Sequence, residues 1–467
     1  MTTFTHNTEL AAAARDAWER CSALRARRLR NKRYTYGDQW SDPADDGTPR
    51  TERDAMLDAG YKPLSNNLIR QLVKCIVGRW RYQRDDNGDA LRDEAFSAVY
   101  DANSLAEIDC RTLEEFLISG CAIQHVFRET RPASGTATYV DMVSPDRFFV
   151  NAHSDPRGRD IEMVGMLHDM SPAEVMGRFG SDASRRDALL RLYGYGGDAT
   201  AQLGDAIGGD GGWSMASESR RLRVVEVWTL ESRPVCRVRD RVRGRAAEVT
   251  PAEFRRLRAL DPQLTGRRDV RVGWHGRYMA PDGTVLAEIQ PLPGGTHPFA
   301  IRMYPMIDGE IHPLVEDVID QQIYVNRLIT LLDRVLSTSA KGALLFPENQ
   351  LVDGMTLEEV GRAWAAPDGI IPYRAIPGYN EPKQVMTTGG DIGARELLEV
   401  QMRLFERVSG VSDALQGRVT GGVNGAQLYD TQVRNALISI ADLLGTFDAF
   451  IAVRDALIRG TARAATR

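Results

Sequence analysis

Five arginines stand at alternate positions, Arg237, Arg239, Arg241, Arg243 and Arg245. Side chains of an extended strand alternate between its two faces, so in a strand all five point the same way. Guanidinium groups match phosphate and carboxylate geometry, which makes this row a candidate grip for nucleic acid or for an acidic partner. The alternative is a solvated outer face, since no aromatic residue interleaves with the arginines to stack on bases. Arg418 offers another cation, set among Gly410, Gly417, Gly421, Gly422 and Gly425. It suits a phosphate contact or plain solvation.

Catalytic chemistry finds no comparable array. The chain contains no Gly-x-x-x-x-Gly-Lys-Ser/Thr loop, no His-Glu-x-x-His and no Gly-x-Ser-x-Gly, so ATP hydrolysis, zinc proteolysis and serine hydrolysis each lack their signature. The glycines near Gly208 and Gly421 are not flanked by the strand and helix that a dinucleotide site requires. Seven histidines are dispersed, none at metal-ligand spacing from a cysteine; His297 and His312 flank a strand and are expected to be structural. Cys21, Cys75, Cys110, Cys121 and Cys236 form no Cys-x-x-Cys pair, and they fit small buried hydrophobes in a reducing compartment. No catalytic residue, cofactor or metal is expected.

The elements that must position these side chains are spread over 467 residues with 43% hydrophobic content, enough for two or three domains with their own cores. The longest apolar runs, 437–444 and 447–453, contain Asp442 and Asp448 and fall short of the ~20 residues that span a bilayer. No transmembrane helix is expected, and the first residues lack the basic start and apolar stretch of a secretory signal. The net charge of −5 is unevenly placed: residues 220–277 hold sixteen Arg and seven Asp or Glu, a balance of +9 against −14 elsewhere. An acidic chain is a poor tight nonspecific DNA binder, which depends on Lys and Arg to release counterions; it suits a conduit past which DNA slides.

Helical periodicity predicts a helix over 10–31 ending in a basic run, Arg25, Arg27, Arg28, Arg30, Lys32 and Arg33, read as a solvated face or as a binding surface. Residues 38–58, acidic and containing Pro43 and Gly47, read as an exposed loop. Leu68, Leu72, Cys75, Ile76 and Trp80 mark a helix over 66–81, and two amphipathic helices follow over 89–117. Strands are expected at 122–129, 136–143 and 143–151. A further strand from Leu167 runs into a helix with Ser171 as N-cap, Pro172 in its first turn and Glu174 closing a capping box. The glycine-rich stretch 193–214 has too little apolar content to pack. Alternation at 222–230, 235–242 and 270–279, with a turn at Pro281-Asp282-Gly283, predicts an antiparallel meander interrupted by a short helix capped by Thr250 and Glu253.

From Phe299 an apolar strand, a tight turn at Asp308-Gly309 and a helix over 314–337 follow without a break. Pro313 opens that helix. Val318, Val325, Leu328, Leu332 and Val335 form its apolar stripe, and at 1.5 Å per residue it is about 36 Å long. A second helix over 392–408 turns Leu397, Gln401, Leu404 and Val408 inward, and the two are expected to pack antiparallel. Between them lies a compact insertion with strands at 342–346 and 369–373 and a helix capped by Thr356 and Glu359. A glycine-rich stretch, 409–425, precedes a long helix over 426–459 with Gly445 as its kink. The fold class is α+β.

Asp320, Gln322 and Asn326 in the first of these helices form an Asp-x-Gln-x-x-x-Asn pattern that resembles the signature of phage portal proteins, in particular those of short-tailed, podovirus-type phages. Asn66-Asn67-Leu68-Ile69-Arg70 and Val77-Gly78-Arg79-Trp80-Arg81 are similar to elements that open that family's conserved region. The run from Val143 to Asn151 looks like its strand before an Asp-Pro-type turn, with Asn151-Ala152 here in place of Asp-Pro. The likeness covers roughly residues 66–455, and the collinear order of individually modest motifs supplies its specificity.

The resemblance implies an N-terminal helix (1–35), an α/β wing (36–312), a descending stem helix (313–338), a small α/β clip (339–390), a returning stem helix (391–408), a tunnel loop (409–425) and a long kinked helix with a short crown (426–467). It implies a homo-oligomeric, dodecameric ring at one capsid vertex, assembled in the host cytoplasm, through which double-stranded phage DNA is packaged and ejected. Terminase large subunit would dock at the clip, with Glu358, Glu359, Arg362, Tyr373 and Arg374 as candidate contacts, and head-completion or tail adaptor proteins, major capsid and scaffolding proteins are the other implied partners. Gln416, Arg418, Thr420 and Asn424 are candidates to face DNA. A head-to-tail adaptor or other structural minor virion protein is the alternative; a nucleic-acid-processing enzyme has no residues in its favour.

Overall fold

The computed structural model describes residues 4–87, 94–131, 135–193, 212–214, 221–239, 246–262, 264–292, 295–339, 343–366, 369–385, 393–411 and 438–465. The chain divides into two compact units. The first comprises Met1–Thr35, Gln71–Asp317 and Gly410–Arg467; the second comprises Tyr36–Arg70 and Val318–Ser409. Helix and antiparallel sheet occur side by side, as an α+β chain requires.

In the first unit the strands are β1 (Thr5–His6), β2 (Cys121–Arg131), β3 (Gly135–Met142), β4 (Phe148–Val150), β5 (Met163–Met170), β6 (Leu222–Arg239), β7 (Ala246–Val249), β8 (Gly266–Met279), β9 (Thr284–Ile289), β10 (Phe299–Met303), β11 (Met306–Ile307) and β12 (Glu310–Ile311). Among the described residues they build a sheet in the order β1-β9-β8-β6-β5-β4 with β7 on β6, a second sheet β10-β2-β3, and the hairpin β11-β12. The two alternating stretches before residue 242 merge into one strand, because Glu231 to Pro234 continue to pair with β8. The turn at Asp308-Gly309 has positive φ at both positions, 52° and 83°, the geometry of a two-residue hairpin.

Polar side chains, as well as apolar ones, link these layers. Glu226 on β6 is buried, with its Oε1 accepting from Trp228 Nε1 at 2.8 Å, His125 Nε2 on β2 at 3.3 Å and His168 Nε2 on β5 at 2.8 Å from Oε2. It thereby ties the two sheets to each other. Burial opposes its charge, yet the charge of His125 and the hydrogen bonds from both histidines outweigh burial and hold the carboxyl well below the ordinary carboxylate range. His297 is structural: burial pushes its imidazole down to about 4, and its Nδ1 accepts from the Phe299 amide at 3.2 Å.

The N-terminal region departs from its expected form. Two helices, Thr8–Arg20 and Ser22–Tyr36, replace one, and the second buries Arg28, Asn31, Tyr34 and Thr35. Arg28 is no solvated cation: it makes a two-pronged pair with Glu115 at 2.8 and 2.9 Å, a partner 87 residues away that no local pattern reveals. In the glycine-rich stretch, Trp213 is buried against Phe149 and donates to the Pro281 carbonyl at 3.2 Å, so that part of it does pack. The capping boxes at Ser171/Glu174, Thr250/Glu253 and Thr356/Glu359 form as their sequences direct.

The C-terminal helix Ala441–Ala465 runs unbroken through Gly445. A helical glycine costs only ~1 kcal/mol, and burial of Phe447, Phe450 and Ile451 immediately after it holds the turn in place. Within this helix Arg454 is fully buried. It donates to Asp109 at 2.8 and 3.1 Å and to the side-chain Oε1 of Gln124 at 3.1 Å, while the Gln124 Nε2 donates in turn to Asp109 and Thr112.

In the second unit the acidic stretch is not simply a loop. Thr51 and Asp54 form a capping box on the short helix Glu52–Asp58, and Gln39 and Trp40 are buried. The helix Leu314–Ser339, which enters this unit at Val318, buries Val318 and Val325. The helix Ala394–Ser409 buries Phe405 and Ser409, whereas Leu397, Val400, Leu404 and Val408 are exposed. Of its expected inward stripe, Gln401 is half-buried, while Leu397, Leu404 and Val408 meet no cover among the described residues. Between these helices β13 (Ala343–Leu345) pairs with β14 (Lys383–Val385), not with 369–373, which is extended without a strand partner. Gly369 allows that segment to approach the helix Leu357–Ala365, since a Cβ there would meet the Ala363 carbonyl oxygen at 1.7 Å.

Replacing Arg454 with alanine leaves Asp109 a buried charge with, among the described residues, only the neutral Gln124 amide bonded to it. A loss of about 3–5 kcal/mol is expected, measured as a shift in the first unit's denaturant midpoint; a shift below about 1 kcal/mol would mean the pair is not buried in solution.

Candidate functional site

The Asp-x-Gln-x-x-x-Asn pattern resolves into two buried amides and one exposed acid. Gln322 and Asn326, four residues apart, share a helix face, whereas Asp320 lies two residues from Gln322 and points elsewhere. Gln322 is fully buried, Asn326 nearly so, and Asp320 is exposed. The Gln322 Oε1 accepts from the amides of Leu68 at 2.9 Å and Ile69 at 3.3 Å, and its Nε2 donates to the Asn66 carbonyl at 2.7 Å. Asn326 accepts from the Asn66 amide at 3.0 Å and from Gln322 Nε2 at 3.0 Å, and it donates to the buried Gln39 Oε1 at 2.7 Å.

The physical need behind this arrangement is a helix end. Leu68 and Ile69 are the first residues of the helix Leu68–Asn87, and their amides have no carbonyl one turn back to bond. Asn67 supplies the local cap, accepting from the Arg70 amide at 2.9 Å. Gln322 supplies a cap from a helix more than 250 residues away. The Thr330 hydroxyl extends the seam by accepting from the Leu64 amide at 3.1 Å. Outside it Arg327 pairs with Glu52 at 2.7 Å, and the Arg334 guanidinium lies 3.9 Å from the centre of the Tyr61 ring. The segment 59–70 is thus laid along the long helix by directed bonds.

The other candidates are dispersed. Glu358 and Arg362 are exposed and 3.9 Å apart; Glu359 closes the Thr356 capping box; Tyr373 is exposed; Arg374 pairs with Asp353 at 2.6 Å. Of the alternating arginines, Arg237 and Arg239 lie in β6, which ends at Arg239. Arg237 is engaged by Glu248 at 3.2 Å and Asp269 at 3.3 Å, so its charge is already answered within the chain. Arg241, Arg243 and Arg245, like Gln416, Arg418, Thr420 and Asn424, lie outside the described residues. Among the described residues no group of His, Cys, Asp and Glu is placed to hold a metal ion, and no helix is long and apolar enough to cross a membrane.

The Asn66–Arg70 and Asp320–Asn326 motifs are therefore two halves of one contact, and both fall inside a match to the family of phage P22-like portal proteins that spans residues 12–427. The chain belongs to the phage P22-like portal protein family. No curated protein matches it. Membership gives this portal protein a structural role in the phage virion, at the capsid's portal vertex, rather than an enzymatic one.

Sequence reasoning found the motif of this portal protein but not its work. Valines and leucines mark the stripe of the long helix, while Gln322 and Asn326 flank it on the same buried side as Val318 and Val325. Two amides at i, i+4 within an apolar stripe are themselves a signal, because buried amides must find partners. Gln39, inside a stretch read as loop, gave no such signal.

Gln322→Leu keeps the volume and removes the cap. It is expected to cost about 1–3 kcal/mol and to speed hydrogen exchange at the amides of Leu68 and Ile69, whereas Asp320→Asn stays within about 0.5 kcal/mol of wild type. Equal effects of the two substitutions would show that the amide bonds are not what the motif supplies.

Proposed function

We propose that this portal protein is one subunit of a closed ring, dodecameric by family resemblance, that forms the channel for phage DNA at one capsid vertex. The observation that carries the ring is the uncovered apolar stripe Leu397, Val400, Leu404 and Val408, together with exposed Tyr324 and Leu331 on the helix Leu314–Ser339. A stable monomer rarely leaves such a stripe in water, and a neighbouring copy in a ring would cover it by a heterologous contact that closes on itself.

Within this reading the two helices are the stem, residues 339–390 the clip and residues 36–312 the wing. The clip's exposed Glu358, Glu359, Arg362, Tyr373 and Arg374 are proposed to meet the terminase large subunit during packaging and an adaptor or tail protein afterwards. Gln416, Arg418, Thr420 and Asn424, in the glycine-rich stretch, are proposed to face DNA. Major capsid and scaffolding proteins would surround the ring during assembly. With no phosphate-binding loop in the chain, the force that moves DNA belongs to the docked motor. An acidic channel wall would let the duplex slide rather than stick.

Electron microscopy of the purified protein tests the ring: rotationally symmetric particles with an open centre are expected, and compact asymmetric particles would overturn the reading. Leu404→Glu places a charge in the proposed contact. Losing a buried leucine is worth about 1.5–3 kcal/mol, so the concentration needed for assembly should rise at least about tenfold by mass photometry, with the helical content unchanged.

A further inference from the structure

The ribbon of β6 and β8 runs on past the strands that flank it. β5 pairs with β6 only as far as Thr229, and β9 pairs with β8 only from Gly276. From Leu230 opposite Trp274 to Val238 opposite Gly266 the two strands continue together, joined towards the end by β7. One face of this ribbon carries Glu231, Arg233, Arg237, Arg267, Asp269 and Arg271, and among the described residues all of these but Arg267 are engaged in ion pairs. Arg233 lies 3.2 Å from Glu231, Arg237 lies 3.2 Å from Glu248, and Arg271 lies 2.8 Å from Glu248.

The opposite face is different. Towards the tip the helix Pro251–Leu260 packs on it, with Phe254 so close to Gly266 that a Cβ there would come within 2.6 Å, and Cys236 and Val238 are buried. Nearer the sheet, no described residue covers it. Leu230, Val270 and Val272 are 40%, 63% and 60% exposed, and Pro234, opposite Val270, is exposed with them. Cross-strand register puts these four side chains on one face with half-buried Trp274 opposite Leu230, a largely apolar surface interrupted by Ser232 opposite Val272, which water disfavours.

Charge indicates what covers it. Residues 230–275 contain twelve Arg and six Asp or Glu, a balance of +6, which leaves −11 on the rest of the chain. Arg268, opposite Cys236 on this face, and Arg256 and Arg258 on the helix packed against it are exposed and make no ion pair among the described residues. A duplex offers phosphates to the arginines but nothing to the apolar surface. Another copy of the chain offers both, apolar area together with the complementary negative charge. We propose that the apolar face of the β6–β8 ribbon, bordered by these arginines, docks on an acidic surface of a second copy of this chain. This rests on the ring reading and adds to the stem a separate contact made by the first unit.

The test places a photo-crosslinking benzoylphenylalanine at Val272, an exposed position, in the full chain purified alone, with Leu404 labelled separately as a stem control. Irradiation is expected to give chain-to-chain products from position 272, with crosslinked peptides rich in Asp and Glu. Arg256→Glu with Arg268→Glu should lower the yield at least about threefold without changing that from position 404. Rings that crosslink from 404 but not from 272 overturn the ribbon contact and leave the ring intact. Monomers at every concentration overturn both. Crosslinking from 272 only to another virion protein, in capsids assembled in cells, overturns the second copy as occupant.

Discussion

A helix cannot begin inside a protein without something to accept its first amides, and in the second unit that something is Gln322. Its carbonyl oxygen takes the Leu68 and Ile69 amides while its amino group holds the Asn66 carbonyl. Asn326 then fixes Gln322 from one side and Gln39 from the other. Apolar contact alone would bring the segment and the long helix together without choosing a register. Amide bonds are directional, so they specify which turn of one helix meets the start of the other.

The same logic recurs in the first unit with charge added. Arg454 sits with Asp109, Arg28 with Glu115, and Glu226 with two histidines and a tryptophan. Such pairs contribute little net stability compared with apolar residues of similar volume, but breaking one is costly. They bind elements distant in sequence: the C-terminal helix to Asp109, the N-terminal helix to Glu115, and one sheet to the other through Glu226. A subunit that must hold its shape against neighbours and passing DNA, as proposed, is served by joints that do not slip.

The portal role also makes sense of what the single chain leaves exposed. Gln322, Asn326, Glu226 and Arg454 find partners within their units, yet large apolar side chains remain in water along the helix Ala394–Ser409 and on the β6–β8 ribbon. The contrast places the unmet surface where the proposed ring would use it. The chain's uneven charge, with a balance of +9 over residues 220–277 against −14 elsewhere, adds direction to that assembly.

By itself the sequence determined what depends on neighbours a few residues apart. Ser171, Thr250 and Thr356 capped their helices because each has its glutamate three residues on, Asp308-Gly309 turned a hairpin because the pair tolerates positive φ, and the order of portal motifs was legible as a pattern. Tertiary structure decided what depends on partners far along the chain. Arg28 reads as a solvated cation until Glu115 arrives, Trp213 reads as loop until Phe149 receives it, and Gln322 reads as an interruption in an apolar stripe until the Leu68 amide needs an acceptor. Periodicity records which side of an element faces inward; only the folded chain brings up the atom that a buried polar group must bond.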